Sequence, residues 1–344
     1  MYPLYAISIH IIIEYTFGFN GTYVIKPGKI RLSKSDFCPN EDTMKRKKAK
    51  KRGFGWIIAL IITVLIAGFA GWMAVNASII HLRRATVYIP DLPGAFEEKT
   101  ILYASDIDLG GINTPKRAAD VFDRLQALQP DILLLGGDYT APTLMELINQ
   151  SDATRYASNT GNWRGDFFHY IYDFSAPLGR YMIASPEDRL TGDIRALAEE
   201  AGFRLLDSDR AEIVSGGDRL WLVGLGEDIS GISKLAGQFR SGDTVVAVTS
   251  SPNQFPALMT TEASDSGHWV DLALAGHTHG GQIRVFGRSM LSMDTIEQQF
   301  TCGWNRETGV PMLVTSGMGC EGINMRLNTQ AEVWLITLTS QPTA

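Results

Sequence analysis

One long apolar run, from Phe54 to Val75, most constrains what this chain can fold into. It contains no charged residue, and Thr63 is its only hydroxyl-bearing side chain. About 20 apolar residues suffice for a helix to cross a bilayer. A buried core helix rarely lacks charge over such a length, and the apolar part of a cleaved signal peptide is shorter, about 7 to 15 residues, although the small residues before Ser78 resemble a cleavage site. We therefore predict an uncleaved transmembrane anchor over residues 54–76.

Basic residues are concentrated on the N-terminal side of this run. Seven lie between positions 45 and 52, against Arg83 and Arg84 on the C-terminal side. Because positive charge is retained on the cytoplasmic side of a membrane, we predict a single-pass protein of the cell membrane with a cytoplasmic N-terminus and an extracytoplasmic C-terminal domain. The formal net charge is -6 despite these cations, so that domain is acidic and we expect no nucleic-acid partner.

These features divide the chain into segments. Residues 44–53 form the basic cytoplasmic flank, 77–85 a linker, and 86–340 the folded domain. Residues 1–43 contain no motif, and Met44 lies directly before the basic run. We therefore expect 1–43 to be an extension outside the folded unit.

The cysteines give no framework for the fold. The chain has three, which are too few for a set of disulfides and lack metal-ligand spacing. Outside the cytoplasm, Cys302 and Cys320 could form one bridge, and two separate buried thiols are an equal alternative.

From Thr86 onward, short apolar runs of strand length alternate with segments of helical periodicity. The runs predicted as strands are 100–104, 131–135, 180–184, 221–223, 244–248, 272–275, 311–315 and 333–338. Residues 114–130 and 192–203 have apolar side chains at helical spacing and predict helices. Residues 149–165, rich in Asn, Ser, Thr and Gly, predict a surface insertion. This alternation is typical of an α/β fold.

Acidic and imidazole side chains follow three of these runs. Asp106 and Asp108 follow the first run, Asp138 the second, and His277 and His279 the sixth. Because chemistry in open α/β sheets collects beyond the carboxyl ends of strands, we expect these residues at the ends of three neighbouring strands. Such a set of ligands suits Mn, Fe or Zn, and the two carboxylate oxygens of Asp138 can bridge two ions. A lone Asp after a strand is more often a cap or turn residue, so the His-X-His among glycines carries most of the prediction.

The segments SDIDLGG, GGDYT and GHTHGGQI, in this order and spacing, resemble the calcineurin-like metallophosphoesterase superfamily, particularly its bacterial membrane-anchored phosphohydrolase branch. The resemblance covers residues 86–339. It implies a four-layer α/β/β/α sandwich of two mixed β-sheets with helices outside, and metal-dependent hydrolysis of phosphoesters.

The resemblance also assigns metal ligands by motif position. Asp106, Asp108, Asp138 and His279 would hold the first ion, and Asp138 and His277 would belong to the second. The position of Asp108 is a histidine in the family pattern, but a carboxylate still ligates.

Other family positions are changed here. The family's Gly-Asn-His-Asp motif appears as Ser185, Pro186, Glu187 and Asp188, and residues 250–252 lack the expected histidine. The second ion would then retain only two protein ligands, so the resemblance implies about one tightly bound divalent ion per chain. Glu187 stands where the family has the histidine that protonates the leaving group, a role that requires a raised pKa.

Two functions follow from this pattern. The first is a metal-dependent phosphoesterase with a reduced site, in which Glu187 is the acid and His277 contacts the phosphate. Its anchored position would make a lipid or cell-envelope phosphoester the substrate. The second is a catalytically inactive, membrane-anchored binding module. The changed family positions favour the second function, and retention of GHTHGGQ and GGD favours the first.

Overall fold

The computed structural model describes residues 41–111, 113–141, 153–190, 192–226, 229–290, 293–306 and 309–342. The chain divides into two compact units, Met1–Ile62 and Thr63–Ala344. Residues 1–40 of the predicted extension lie outside the described residues.

Helix α1, Glu41–Ser78, contains the predicted anchor. Its segment Gly55–Ser78 is long and apolar enough to cross a membrane. Large apolar side chains such as Trp56 and Leu65 are exposed along it. Exposed apolar surface of this kind on a long helix is typical of a lipid environment.

The first sheet has six strands in the order β1-β14-β2-β3-β4-β5. Their bounds are β1 Ile80–Tyr88, β2 Thr100–Ala104, β3 Ile132–Leu135, β4 Arg180–Met182, β5 Arg204–Leu205 and β14 Ala331–Thr339. Strand β14 is antiparallel to β2, and the other neighbouring pairs are parallel. Because β2, β3 and β4 are parallel, their carboxyl ends meet at one edge.

The second sheet has six strands in the order β12-β13-β9-β8-β7-β6. Their bounds are β6 Asp209–Ser215, β7 Asp218–Gly224, β8 Val245–Thr249, β9 Leu272–Ala275, β12 Gly303–Asn305 and β13 Met312–Val314. The pairs at the two edges are antiparallel, and β7, β8, β9 and β13 are parallel. A separate hairpin pairs β10 Arg284–Val285 with β11 Arg288–Ser289.

Seven further helices are described in the domain. They are α2 Pro115–Leu125, α3 Ala153–Tyr170, α4 Pro186–Leu190, α5 Ile194–Glu200, α6 Ile229–Ala236, α7 Phe255–Thr260 and α8 Thr295–Gln299. Single 3-10 turns lie at Gly94–Phe96, Gln126–Leu128, Pro252–Gln254 and His279–Gly281.

Three apolar clusters hold the layers together. The central cluster joins the inner faces of the two sheets, for example Ile101 of β2 with Leu222 of β7. A second cluster packs α2, α3 and α5 on the outer face of the first sheet, with Phe122 and Phe167 at its centre. A third packs α6 and α7 on the outer face of the second sheet. The predicted four-layer α/β/β/α sandwich of two mixed sheets is therefore confirmed.

Two segments differ from the sequence predictions. The surface insertion expected at 149–165 contains instead the start of α3, whose Arg164 is buried. Its Asn, Ser and Gly are weak helix formers, and tertiary packing overrides that preference. Strand β1 begins at Ile80, inside the predicted linker. The sequence pattern did not predict this strand, because the two consecutive arginines Arg83 and Arg84 interrupt its apolar residues. Both side chains are exposed, as is common on an edge strand.

Candidate active site

Five predicted ligands lie together where strands of both sheets end. Asp106 and Asp108 follow β2, Asp138 follows β3, and His277 and His279 follow β9. The expectation of three neighbouring strands is wrong, because β9 belongs to the second sheet. A hydrogen bond joins the two sheets at this edge, since the His277 backbone N–H donates to Asp106 Oδ1 over 2.7 Å.

The side chains of this cluster form two acid–imidazole pairs. His277 Nδ1 lies 3.4 Å from Asp138 Oδ2, and His279 Nδ1 lies 3.4 Å from Asp108 Oδ2. Asp106, Asp108, Asp138 and His279 are buried, whereas 44% of the His277 side chain is exposed. His277 is therefore the member of the cluster that a ligand from solvent meets first.

The backbone is held in an unusual conformation at all five positions. The φ angles of Asp106, Asp108, Asp138, His277 and His279 lie in the left-handed region, between 50° and 76°. This region is uncommon for residues other than glycine, and its use costs about 1 kcal/mol or more per residue. Such residues concentrate at functional sites, so this clustering favours a functional interpretation over five unrelated turn residues.

Glycines allow the chain to pass close to the acidic residues. A Cβ on Gly276 would lie 2.6 Å from Asp106 Oδ2, and one on Gly317 would lie 2.6 Å from Asp106 Cβ. Any larger residue at either position would displace the carboxylate. The backbone at these two glycines therefore packs directly against the Asp106 side chain.

Burial and mutual repulsion perturb the ionisation of the acids. Burial, followed by the charge of Asp138, raises the pKa of Asp106 well above its usual value. Burial and the charge of Asp106 do the same to the pKa of Asp108. Burial also acts on Asp138, but hydrogen bonding and attraction to His277 outweigh it and lower its pKa. A divalent cation beside these groups would favour their ionised forms.

The two imidazoles are shifted in opposite directions. The hydrogen bond to Asp138 raises the pKa of His277 to about 10. Burial, with the nearby charge of Arg326, lowers the pKa of His279 to about 3. His279 is therefore neutral at physiological pH, which is the form in which a histidine binds a metal.

Buried atoms without partners test whether a metal fits. Asp106 Oδ2, Asp108 Oδ2 and His279 Nδ1 are buried and make no hydrogen bond, although the last two atoms lie 3.4 Å apart. An unsatisfied buried polar atom is costly, and a bound cation would satisfy all three. As the side chains stand, no three His, Cys, Asp or Glu groups in the described part of the chain converge closely enough to hold an ion. The residue types and orphaned atoms fit a divalent ion, and binding would require side-chain rotation within the cluster.

Asp188 holds the backbone of the cluster, a role that the sequence analysis missed. This buried carboxylate accepts hydrogen bonds from the N–H groups of Asp138, Tyr139 and Ser185, at 2.9 to 3.0 Å. Burial and the charge of Asp138 raise its pKa to about 7. Its place as the Asp of the altered Gly-Asn-His-Asp motif was the signal that could have identified it.

Glu297 and Asn253 lie on the other side of His277, and neither was predicted. Glu297 Oε1 lies 3.6 Å from His277 Nε2 and accepts a hydrogen bond from Asn253 Nδ2 over 3.3 Å. Glu297 also closes a capping box with Asp294 at the start of α8. A carboxylate on the second nitrogen of a ligating imidazole fixes the orientation of the ring.

Arg326 ties together the loops that surround the site. Its buried guanidinium donates to five carbonyls, those of His279, Ser316, Gly317, Gly319 and Gln330. These carbonyls belong to the loops after β9 and β13 and to the segment before β14. Nothing in the local sequence marks this arginine as buried.

The remaining candidates lie around this cluster. Glu187 is exposed on α4, one residue before the buried Asp188. Pro186 begins α4, a position that proline favours. Cys302 and Cys320 are free thiols, the first exposed and the second buried.

Similar proteins carry one consistent description. An uncharacterized metallophosphoesterase from Aquifex aeolicus is 24% identical over 81% of this chain and 98% of its own length. A transmembrane protein with metallophosphoesterase domain from Danio rerio is 24% identical over 82% of this chain. The chain spans 62% of that protein, and also 62% of a putative metallophosphoesterase from Caenorhabditis elegans that is 22% identical.

No protein-family profile matches the chain. Among solved structures, a dimetal phosphatase from Danio rerio aligns with a TM-score of 0.40 at 9% identity, over 64% of this chain and 88% of that one. The motifs, the two-sheet sandwich and the relatives agree: the chain is similar to metallophosphoesterases of the calcineurin-like superfamily.

Proposed function

We propose that this protein is a membrane-anchored, metal-dependent phosphoesterase with a reduced site that binds about one ion per chain. The observation that carries the proposal is the buried cluster of Asp106, Asp108, Asp138 and His279. Three of its potential metal-ligating atoms make no hydrogen bond, and all four residues have a left-handed backbone conformation. Mn, Fe and Zn suit this mixed oxygen and nitrogen set. A structural domain gains nothing from so costly an arrangement.

Each residue of the proposed site has a separate role in hydrolysis. Asp106, Asp108, Asp138 and His279 would hold the ion, which supplies Lewis-acid polarisation of the phosphoryl group and activation of water. His277, exposed and beside Asp138, places a cationic imidazole where the phosphate would lie. Glu187 remains the predicted acid, and its exposed place on α4 gives it access to a leaving group.

The substrate and location are parts of the same proposal. An apolar helix and a relative described as a transmembrane protein support anchoring in a membrane. The basic flank supports a cytoplasmic N-terminus and an extracytoplasmic domain. A phosphoester of a membrane lipid or of the cell envelope is then the substrate nearest to the site.

The test is metal content together with hydrolysis by the purified full-length chain. We expect about one tightly bound divalent ion per chain and slow hydrolysis of p-nitrophenyl phosphodiesters. Two tightly bound ions would show that other residues, such as Glu297 and Asn253, complete a second position. Bound metal with no hydrolysis of any mono- or diester would favour the alternative, a membrane-anchored pseudoenzyme.

A further inference from the structure

The β10–β11 hairpin presents an aromatic residue to solvent at its tip. Phe286 and Gly287 form its two-residue turn, with φ angles of 50° and 79°. Turns with both φ angles positive favour Asn-Gly, and an aromatic residue there is strained. Phe286 is 100% exposed, so no packing within the protein offsets this cost.

The residues around Phe286 include further exposed apolar side chains and two arginines. Met290 and Val285 are 68% and 39% exposed. Arg284 and Arg288 flank the turn, one on each strand. Exposed apolar side chains next to arginines are typical of segments that lie in the interface of a bilayer.

The hairpin is firmly attached to its base. The Arg284 N–H donates to the Leu327 carbonyl over 2.9 Å, and Asn328 Nδ2 donates to the Arg284 carbonyl over 2.8 Å. Ser289 Oγ donates to the Gly281 carbonyl over 3.1 Å. The hairpin is thus held directly beside the loop that carries His279.

The same base contacts the apolar helix. The Arg326 N–H donates to the Met73 carbonyl of α1 over 3.2 Å, one residue before Leu327. A segment of two residues therefore joins the hairpin to the C-terminal part of the apolar span.

We propose that the β10–β11 hairpin is a membrane-contacting element, which inserts Phe286 into the interface of the bilayer that α1 crosses. Arg284 and Arg288 would lie at the level of the lipid phosphates. This proposal rests on the membrane anchor proposed above and specifies its consequence. The hairpin would bring the His277–His279 loop to the headgroups, so the substrate class is a phosphoester presented at the bilayer surface.

The direct test uses the full-length chain in vesicles of phosphatidylcholine and phosphatidylglycerol. A Phe286→Cys variant, with Cys38 and Cys302 replaced by Ser, carries an environment-sensitive fluorophore. Val214→Cys is the matched control, because Val214 is 57% exposed and its hairpin turn lies at the amino ends of the parallel strands β7, β8 and β9, whereas the site lies at their carboxyl ends. We expect brominated lipids to quench the label at position 286 and to leave the label at 214 unchanged.

Flotation of the vesicles separates the two proposals. A chain that floats with the vesicles but shows no quenching at 286 would overturn the hairpin proposal and leave the anchor intact. A chain that does not float would overturn both. Labelling of the background without an introduced cysteine gives the signal of the buried Cys320, which is subtracted.

A kinetic comparison provides the functional readout. Phe286→Ser should reduce hydrolysis of a vesicle-borne phosphoester about tenfold, which corresponds to the lower end of the range for burying one large apolar side chain. Hydrolysis of a soluble p-nitrophenyl ester, and both rates in Val214→Ser, should stay unchanged. Equal loss on the soluble and the vesicle substrate would show that Phe286 acts through the structure of the site.

Discussion

Asp138 and His277 lie side by side, yet they serve the proposed site differently. Asp138 is shared by both metal positions of the family pattern, whereas His277 belongs only to the depleted one. We therefore expect Asp138→Asn to remove bound metal more completely than His277→Asn, as measured by elemental analysis after dialysis. Asp173→Asn, which changes an exposed carboxylate, is the control. Equal metal loss in the first two variants would contradict this division of roles.

Glu297 provides a second prediction at this scale. Glu297→Gln keeps the capping box of α8, because glutamine also serves at that position. It removes the charge that faces His277 Nε2 at 3.6 Å. Because His277 contacts the phosphate in the proposed one-ion site, loss of this orienting partner should lower hydrolysis of a p-nitrophenyl phosphodiester about 10- to 100-fold and leave the bound metal unchanged. An unchanged rate of hydrolysis, with Glu262→Gln as the exposed control, would show that Glu297 serves only as a helix cap.

The sequence predicts some of these residues and hides others. The five residues of the cluster follow apolar runs and stand in recognisable motifs, so their positions could be read directly. Glu297, on helix α8, and Arg326, in a loop, come from distant parts of the chain and reach the site only through tertiary packing. Asp188 lies in a motif whose other members are changed, which obscured the one that is retained.

At the scale of elements, Asp131 joins the start of β3 to β2. Its carboxylate accepts hydrogen bonds from Lys99 Nζ over 2.9 Å and from the Thr100 N–H over 2.8 Å. Burial alone would raise its pKa, but these hydrogen bonds outweigh burial and lower it. A lowered folded-state pKa stabilises the protein above the unfolded-state value of about 3.9, and this contribution disappears as pH falls through the folded-state value.

We expect Asp131→Asn to destabilise the protein by about 1 kcal/mol at pH 7, a figure kept small by solvent screening. The difference between variant and parent should vanish as pH falls below about 4. Thermal unfolding of both chains across this pH range is the measurement. A difference that persists at low pH would mean that the aspartate acts by packing, since charge would no longer contribute.

Strands differed in how well the sequence revealed them. Runs buried on both faces, such as β2, β3 and β9, are continuously apolar and were predicted within a residue or two. Strands β1 and β6 lie at sheet edges and alternate with polar or charged residues. Their pairing depends on partners elsewhere in the chain, which no local pattern records.

For the whole molecule, the orientation in the membrane remains a prediction. The seven cations before the apolar run predict a cytoplasmic N-terminus. A reporter fused after Ala344 should therefore be active only if it functions outside the cytoplasm. A periplasm-dependent phosphatase and a cytoplasm-dependent fluorescent protein form the pair of fusions. Activity of the second fusion alone would reverse the orientation.

The pairing of β1 with β14 sets the timing of folding during synthesis. Strand β1 follows the apolar helix directly, but β14, its neighbour in the sheet within the described residues, is synthesised after every residue of the site. Until β14 is synthesised, β1 of the nascent chain therefore has unpaired backbone groups. Such an exposed strand edge can pair with a strand of another chain. A polypeptide truncated before Ala331 would contain all five cluster residues but would lack β14, the strand that joins β1 to β2 in the first sheet. Such a product is expected to depend on chaperones and to be degraded, however complete its catalytic sequence.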